Sequence, residues 1–290
     1  MSNRTLGAAI HHRLFVPNRL GAAHEPAPLI VALHGCTQTA SDFAAGTRFD
    51  KVAGRAGAYV VYPEQVPHAN AQRCWNWFLE EHQSRERGEP AAILALVDEL
   101  LRRHPIDPHR VFLAGLSSGG AMAAILAEQA PERFAAVGIM AGVRLHASRD
   151  LQSAYAAMQD ERDVNCDDIA PVIARRSHPP AAYARLRATV WAGTDDRLVA
   201  PSNASVLARQ FRVLFGMGEG TPAVERLGDA EIERWRDSAG RVRVEAWRID
   251  AMGHAWSGGS FRGSFTHPKG PRASEAMLAF FLEKSIAPSA

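Results

Sequence analysis

Residues 111–128 read VFLAGLSSGGAMAAILAE. Four apolar residues, Val111 to Ala114, have the length and continuous apolarity of a strand buried on both faces. From Ala121 to Gln129 the pattern is helical, and Pro131 stops it. Between them lies Gly115-Leu116-Ser117-Ser118-Gly119, which fits G-x-S-x-G on Ser117. In that motif a serine occupies a strained turn between strand and helix, and the flanking glycines let the two approach. Centring the motif on Ser118 would put Leu116 where a glycine is required. Ser117 is therefore the candidate nucleophile, with the Ser118 amide placed to donate to an oxyanion.

Working outward, short apolar runs alternate with helical patterns. Arg13–Val16, Leu29–Leu33, Tyr59–Tyr62, Ala135–Met140, Thr189–Ala192 and Val242–Ile249 read as strands. Asp42–Ala56, Pro90–Arg103, Asn203–Phe215 and Ser274–Lys284 read as helices. Such alternation predicts an α/β fold, a mostly parallel sheet with helices on both faces. Ligands then bind beyond the carboxyl ends of the strands. His34-Gly35-Cys36, Pro63-Glu64, Gly115–Gly120, Gly193–Asp196 and Gly253-His254 all lie there.

A serine hydroxyl needs a base, and the base needs an orienting acid. Downstream, Thr189–Ala192 runs into Gly193-Thr194-Asp195-Asp196, and Val242–Ile249 runs into Gly253-His254. The chain order serine, acid, histidine is the one this kind of fold uses. Asp196 is the preferred acid, because Val199 anchors its loop to the core; Asp195 reads as a turn or cap residue. His254, in a glycine-flanked loop, is the candidate base. The loop after the early strand supplies a second oxyanion donor, assigned to the Cys36 backbone. A Cys36 nucleophile is the rival reading and lacks the strand–turn–helix context.

Composition narrows the classes. The 290 residues are 47% hydrophobic, enough for one large domain, and no linker or repeat divides them. The formal charge of +2, with both signs mixed, gives no nucleic-acid stripe. Arg175, Arg176, Arg185 and Arg187 make a locally basic stretch, read as a solvated face. No run approaches the roughly 18 apolar residues of a membrane span. The opening MSNRTLGAAIHHRLFVP lacks the apolar core of a signal peptide, which points to the cytoplasm, although a mature secreted chain would look the same. Cys36, Cys74 and Cys166 are too few for a disulfide scaffold, and no paired CxxC or HExxH suggests a metal. His11-His12 reads as a surface feature. Neither metal nor organic cofactor is expected.

LHGCTQTASDFAAGTRFD, VVYPEQ, CWNWF, RVFLAGLSSGGAMAAILAE and GHAWSGGS, in that order, resemble the poly-hydroxybutyrate depolymerase-type esterases. These are α/β-hydrolases, to which feruloyl and acetylxylan esterases are similar. The likeness runs from about Arg13 to Phe281. It implies a Ser117, Asp196, His254 triad, action on short hydroxyalkanoate or aryl esters, and, as in several members, a bridge between Cys36 and Cys74. The sequence lacks the threonine-rich linker and substrate-binding domain of secreted polymer-degrading members, so soluble oligomers or small esters are the expected substrates. Trp75, Trp77 and Trp256 are candidate walls of the substrate pocket, with core packing as the alternative. Glu64 reads as a loop-structuring residue. Residues 144–187, including Asn165-Cys166-Asp167-Asp168, carry no recognised motif and are read as a lid or insertion within one domain, 1–290. A non-catalytic binding protein on the same scaffold, a peptidase and an acyltransferase remain the rival readings, and the oligomeric state is open.

Overall fold

The computed structural model describes residues 10–18, 26–162, 169–176 and 178–283. Among them, nine strands form one sheet: β1 (His12–Phe15), β2 (Ala27–Leu33), β3 (Tyr59–Pro63), β4 (Ile106–Leu116), β5 (Ala136–Met140), β6 (Arg187–Gly193), β7 (Ala223–Leu227), β8 (Ala230–Arg236) and β9 (Val242–Ile249). Their order is β1-β3-β2-β4-β5-β6-β9-β8-β7. The six inner strands, β3 to β9 across the sheet, run parallel. β1 and the β8–β7 hairpin are antiparallel at the two edges.

The central strands are apolar on both sides because both sides are covered. Leu29, Val31 and Leu33 of β2 face one core. That core includes α3 (Gly88–Arg103), α4 (Ser118–Gln129) and α7 (Ser202–Leu214). Ile30 and Ala32 face the other, which is closed by α1 (Ala40–Thr47), α2 (Phe49–Ala56) and α8 (Ala273–Phe281).

Several sequence expectations are corrected. The helix expected over Asp42–Ala56 is two helices, because Arg48 between them takes a left-handed conformation (φ 58°). The β7–β8 hairpin was not expected. Half of its strand residues are charged: Arg226 pairs with Glu231 and Asp250, and Arg234 with Glu225 and Glu245. Arg187 does not belong to a solvated face. It opens β6, is 4% exposed, donates to the Phe280 and Phe281 carbonyls, and lies over the Phe280 ring. The closing helix ends at Phe281, with Leu282 as its cap, short of the expected Lys284; Asn165–Asp168 lies outside the described residues.

Within 144–187, α5 (Leu151–Met158) and α6 (Ala170–Arg175) are helical. The segment ahead of α5 is anchored by buried polar side chains. Asn203 Oδ1 accepts from Arg144 N at 3.2 Å, and Gln210 Oε1 accepts from Leu145 N at 2.8 Å. Arg144 pairs with Asp160, and His146 Nε2 lies 2.7 Å from Glu128 Oε1.

Candidate active site

β4 delivers Ser117 to the middle of the sheet edge. Its backbone sits at φ 56°, ψ −121°, a conformation L-residues rarely hold without surrounding support. That support is visible: Ser117 N donates to Met140 O at 2.9 Å, and Ala121 N donates to Ser117 O at 2.9 Å. The two motif glycines are sterically required. A methyl at Gly115 would collide with the Gly119 carbonyl, and one at Gly119 would collide with the Leu33 and His34 carbonyls. Strand, turn and helix therefore close on one another only with hydrogen in both places.

Two and three strands away, the loops after β6 and β9 are zipped together. Thr194 N donates to Ile249 O (2.9 Å), Asp195 N to Met252 O (3.0 Å), and Ala251 N to Thr194 Oγ1 (2.9 Å). A side chain on Gly193 would run into the Met252 backbone, so glycine permits this contact. Asp196 is thereby turned inward. Its Oδ1 accepts from the Leu198 and Val199 amides, both at 2.9 Å, and its Oδ2 lies 2.7 Å from His254 Nδ1. The Asp196 carboxylate is fully buried, and the His254 side chain is 8% exposed. Asp195 points to solvent and does not touch His254. Among the described residues, no hydrogen bond joins the Ser117 hydroxyl to His254. Such contacts are often long before substrate binds.

On the other side of Ser117, β2 delivers His34-Gly35-Cys36. The position a Gly35 Cβ would occupy is 3.4 Å from Ser117 Cβ, so this loop packs on the serine. Thr37 carries the strain of the turn (φ 65°), and its N–H donates to Gln72 O at 2.6 Å. The Cys36 and Ser118 amides donate to no described residue. Cys36 is disulfide-bonded to Cys74, which ties the loop to the Cys74–Phe78 stretch. His34 is buried and neutral in its bonding pattern: Nδ1 donates to Gly35 O at 2.8 Å and Nε2 accepts from Gln65 N at 3.0 Å. Burial pushes its pKa below the ordinary imidazole value. Gln65 in turn donates to Glu89, a buried carboxylate that also accepts from the Asn76 amide at 2.7 Å and side chain at 2.6 Å. Burial holds the Glu89 pKa above the usual carboxylate range.

The tryptophans divide. Trp75 is fully buried, donates to His34 O at 3.1 Å and braces the loop from behind. Trp256 is buried between Phe43 and Phe49 and donates to Ser274 Oγ at 3.0 Å. Both are buried in the core, which favours the packing alternative for them. Trp77, also buried, lines a small cavity with Gln83, Ala121, Ile125, Val143 and Leu145, beside the first turns of α4. Glu64 organises loops: Oε2 accepts from Ala40 N at the start of α1 (2.9 Å), and Oε1 faces Arg73 at 3.3 Å. Sequence reasoning missed Gln38, Gln65, Glu89 and Phe265. The last stands edge-on to the His254 ring at 6.3 Å. No group of three or more metal-ligating side chains occurs among the described residues, and none of their helices is long and apolar enough to cross a membrane.

Comparison with known proteins follows the same outline. Residues 10–234 match the family model described as Esterase PHB depolymerase. A poly(3-hydroxyalkanoate) depolymerase C of Paucimonas lemoignei is 32% identical over 79% of this chain and 55% of its own length. A poly(3-hydroxybutyrate) depolymerase of Ralstonia pickettii is 30% identical over 80% of this chain and 48% of its own. The chain thus spans about half the length of these curated relatives. A feruloyl esterase B of Neurospora crassa is 30% identical, covering 70% of this chain and 69% of that one. Among solved structures, an acetyl xylan esterase from Aspergillus awamori superposes with a TM-score of 0.65 at 20% identity, over 84% of this chain and 88% of that one, and shares its α/β-hydrolase fold. With its elbow serine, its strand order and the matched span together, the chain belongs to the esterase PHB depolymerase family.

Proposed function

We propose that the chain is a serine hydrolase of carboxylic esters, with Ser117 as nucleophile, His254 as base and Asp196 as the acid that orients it. The observation that carries this reading is the buried Asp196–His254 contact, set two to three strands from a serine held at φ 56° on the elbow. Asp196 accepts from the Nδ1–H of His254, which leaves Nε2 unprotonated as the base. Nε2 takes the Ser117 proton as Oγ attacks the ester carbonyl. The Cys36 and Ser118 amides receive the oxyanion, each worth roughly 3 kcal/mol of barrier. Collapse expels the alcohol, which takes the proton from His254. Water, deprotonated by the same nitrogen, then releases the acid and restores the serine.

Short hydroxyalkanoate oligomers or small alkyl and aryl esters are the proposed substrates. The depolymerase relatives support the first and the feruloyl esterase the second. The test is hydrolysis of p-nitrophenyl esters from acetate to octanoate by the protein and by Ser117→Ala. Turnover that the substitution abolishes supports the reading, and the chain-length profile sizes the pocket. A folded protein inert on every ester sinks it and favours a non-catalytic binding role.

A further inference from the structure

The geometry points to Gln38 as a positioning residue that holds the oxyanion loop and the loop beside the base in register. This inference rests on the ester-hydrolase reading above. Gln38 is 2% exposed and lies between the two loops. Toward the oxyanion loop, its Oε1 accepts from Gly35 N at 2.9 Å, and its own N–H donates to Gly35 O at 3.3 Å. Both backbone groups of Gly35 are therefore engaged by one residue. With the Gly35 amide committed, the next donor along the chain is the Cys36 N–H.

Toward the other loop, Gln38 Nε2 donates to Ser264 O at 3.2 Å, Ser264 Oγ at 3.1 Å and Asp42 Oδ2 at 3.0 Å. Asp42 closes the triangle, accepting from Ser264 N at 3.0 Å and Ser264 Oγ at 2.5 Å. Ser264 is 226 residues from Gln38 in sequence and directly precedes Phe265. Phe265 stands against His254, and its carbonyl accepts from Trp256 N at 2.7 Å, two residues beyond the base. One primary amide thus spans from the proposed oxyanion donors to the flank of the proposed base.

The side chain's chemistry matches this task. One side needs an acceptor, for Gly35 N–H. The other needs donors, for a carbonyl, a hydroxyl and a carboxylate. An uncharged amide supplies both, its two N–H groups shared among the three acceptors. Leucine supplies neither. Glutamate keeps the acceptor but meets the Asp42 carboxylate with a like charge. Reactive groups must be held to within fractions of an ångström, so slack here costs rate rather than substrate binding.

The experiment measures kcat and KM on p-nitrophenyl butyrate for wild type, Gln38→Leu, Gln38→Glu and Ser264→Ala, together with Ki for an alkyl trifluoromethyl ketone, which mimics the tetrahedral intermediate. Gln38→Leu and Gln38→Glu are expected to lower kcat about 30-fold, short of the roughly 10²–10³ for removing a donor outright. KM should stay within twofold, and the ketone Ki should rise by the same factor as kcat falls. Ser264→Ala, on an exposed loop, should give the same pattern at about threefold, and it serves alone if the Gln38 variants do not fold. A kcat within twofold of wild type in a folded Gln38 variant, or in Ser264→Ala where it serves alone, overturns the inference. So does a lowered kcat with an unchanged Ki, since that reports only a smaller folded fraction. An inert wild type sinks the ester-hydrolase reading, and this inference with it. An active wild type with indifferent variants sinks the inference alone.

Discussion

His254 Nδ1 stands 2.7 Å from Asp196 Oδ2, while the other Asp196 oxygen is held by two backbone amides. The carboxylate cannot swing away from the imidazole without leaving those amides unpaired. Asp195, one residue earlier, has no such restraint and faces water. Asp196→Asn is expected to lower kcat by about 10⁴, through loss of the productive tautomer. Asp195→Asn should stay within about threefold. Steady-state kinetics on one p-nitrophenyl ester decides between them, and equal losses would undo the assignment.

Gly119 is walled in by the Leu33 and His34 carbonyls. Gly119→Ala must move backbone, and we expect it to cost at least about 3 kcal/mol in urea unfolding. Gly218 has open space around it, so Gly218→Ala should lie within about 0.5 kcal/mol of wild type.

The bridge between Cys36 and Cys74 closes a separation of 38 residues. Chain-entropy reasoning gives about 2–4 kcal/mol of stabilisation for such a loop. Cys74→Ser should therefore lower the urea midpoint. Reductant should do the same to wild type and have no further effect on the variant. Mass spectrometry under non-reducing conditions checks the bridge itself, and two free thiols would remove the premise.

His34 is buried with one nitrogen donating and the other accepting, and burial lowers its pKa. The unfolded chain takes up this proton near pH 6.5, the folded protein only at lower pH. Below about pH 6.5 the unfolded state therefore binds more protons, and stability falls as pH drops toward the folded value. Above about pH 7 the imidazole is neutral in both states and the penalty vanishes. Wild type should lose stability between pH 7.5 and 5, and His34→Gln should lose measurably less over that interval. Parallel urea titrations at the two pH values test this, and identical losses would count against it.

The elbow was legible because its signal is local: a strand-length apolar run, glycines two residues either side of a serine, then helix-forming residues. The acid and base loops were legible because glycine marks each strand end. Other features depend on partners far away in sequence. The hairpin was hard to read because only Ala230, Ile232 and Trp235 of β8 are buried and β7 is almost wholly exposed, which left the Gly228-Asp229 turn as its local signal. Arg48 breaks a helix without glycine or proline, an option left-handed backbone makes costly but tertiary packing sustains. Arg187 looked like surface because its carbonyl partners and aromatic platform come from α8. The tryptophans could not be sorted because an indole serves core and pocket equally well. Gln38 escaped notice because its Ser264 partner becomes a neighbour only after α1 and the loop beyond His254 have packed together.

A sheet of nine strands must end somewhere, and an open end is a template on which another chain can polymerise. Here the far end is β7, a five-residue strand whose exposed side chains include Glu225 and Arg226. Arg226 reaches back to Glu231 and Asp250, and Arg234 to Glu225, so any strand approaching this margin would have to pull apart or bury paired charges. The paired charges of the hairpin thus make this margin of the sheet a poor template for another strand.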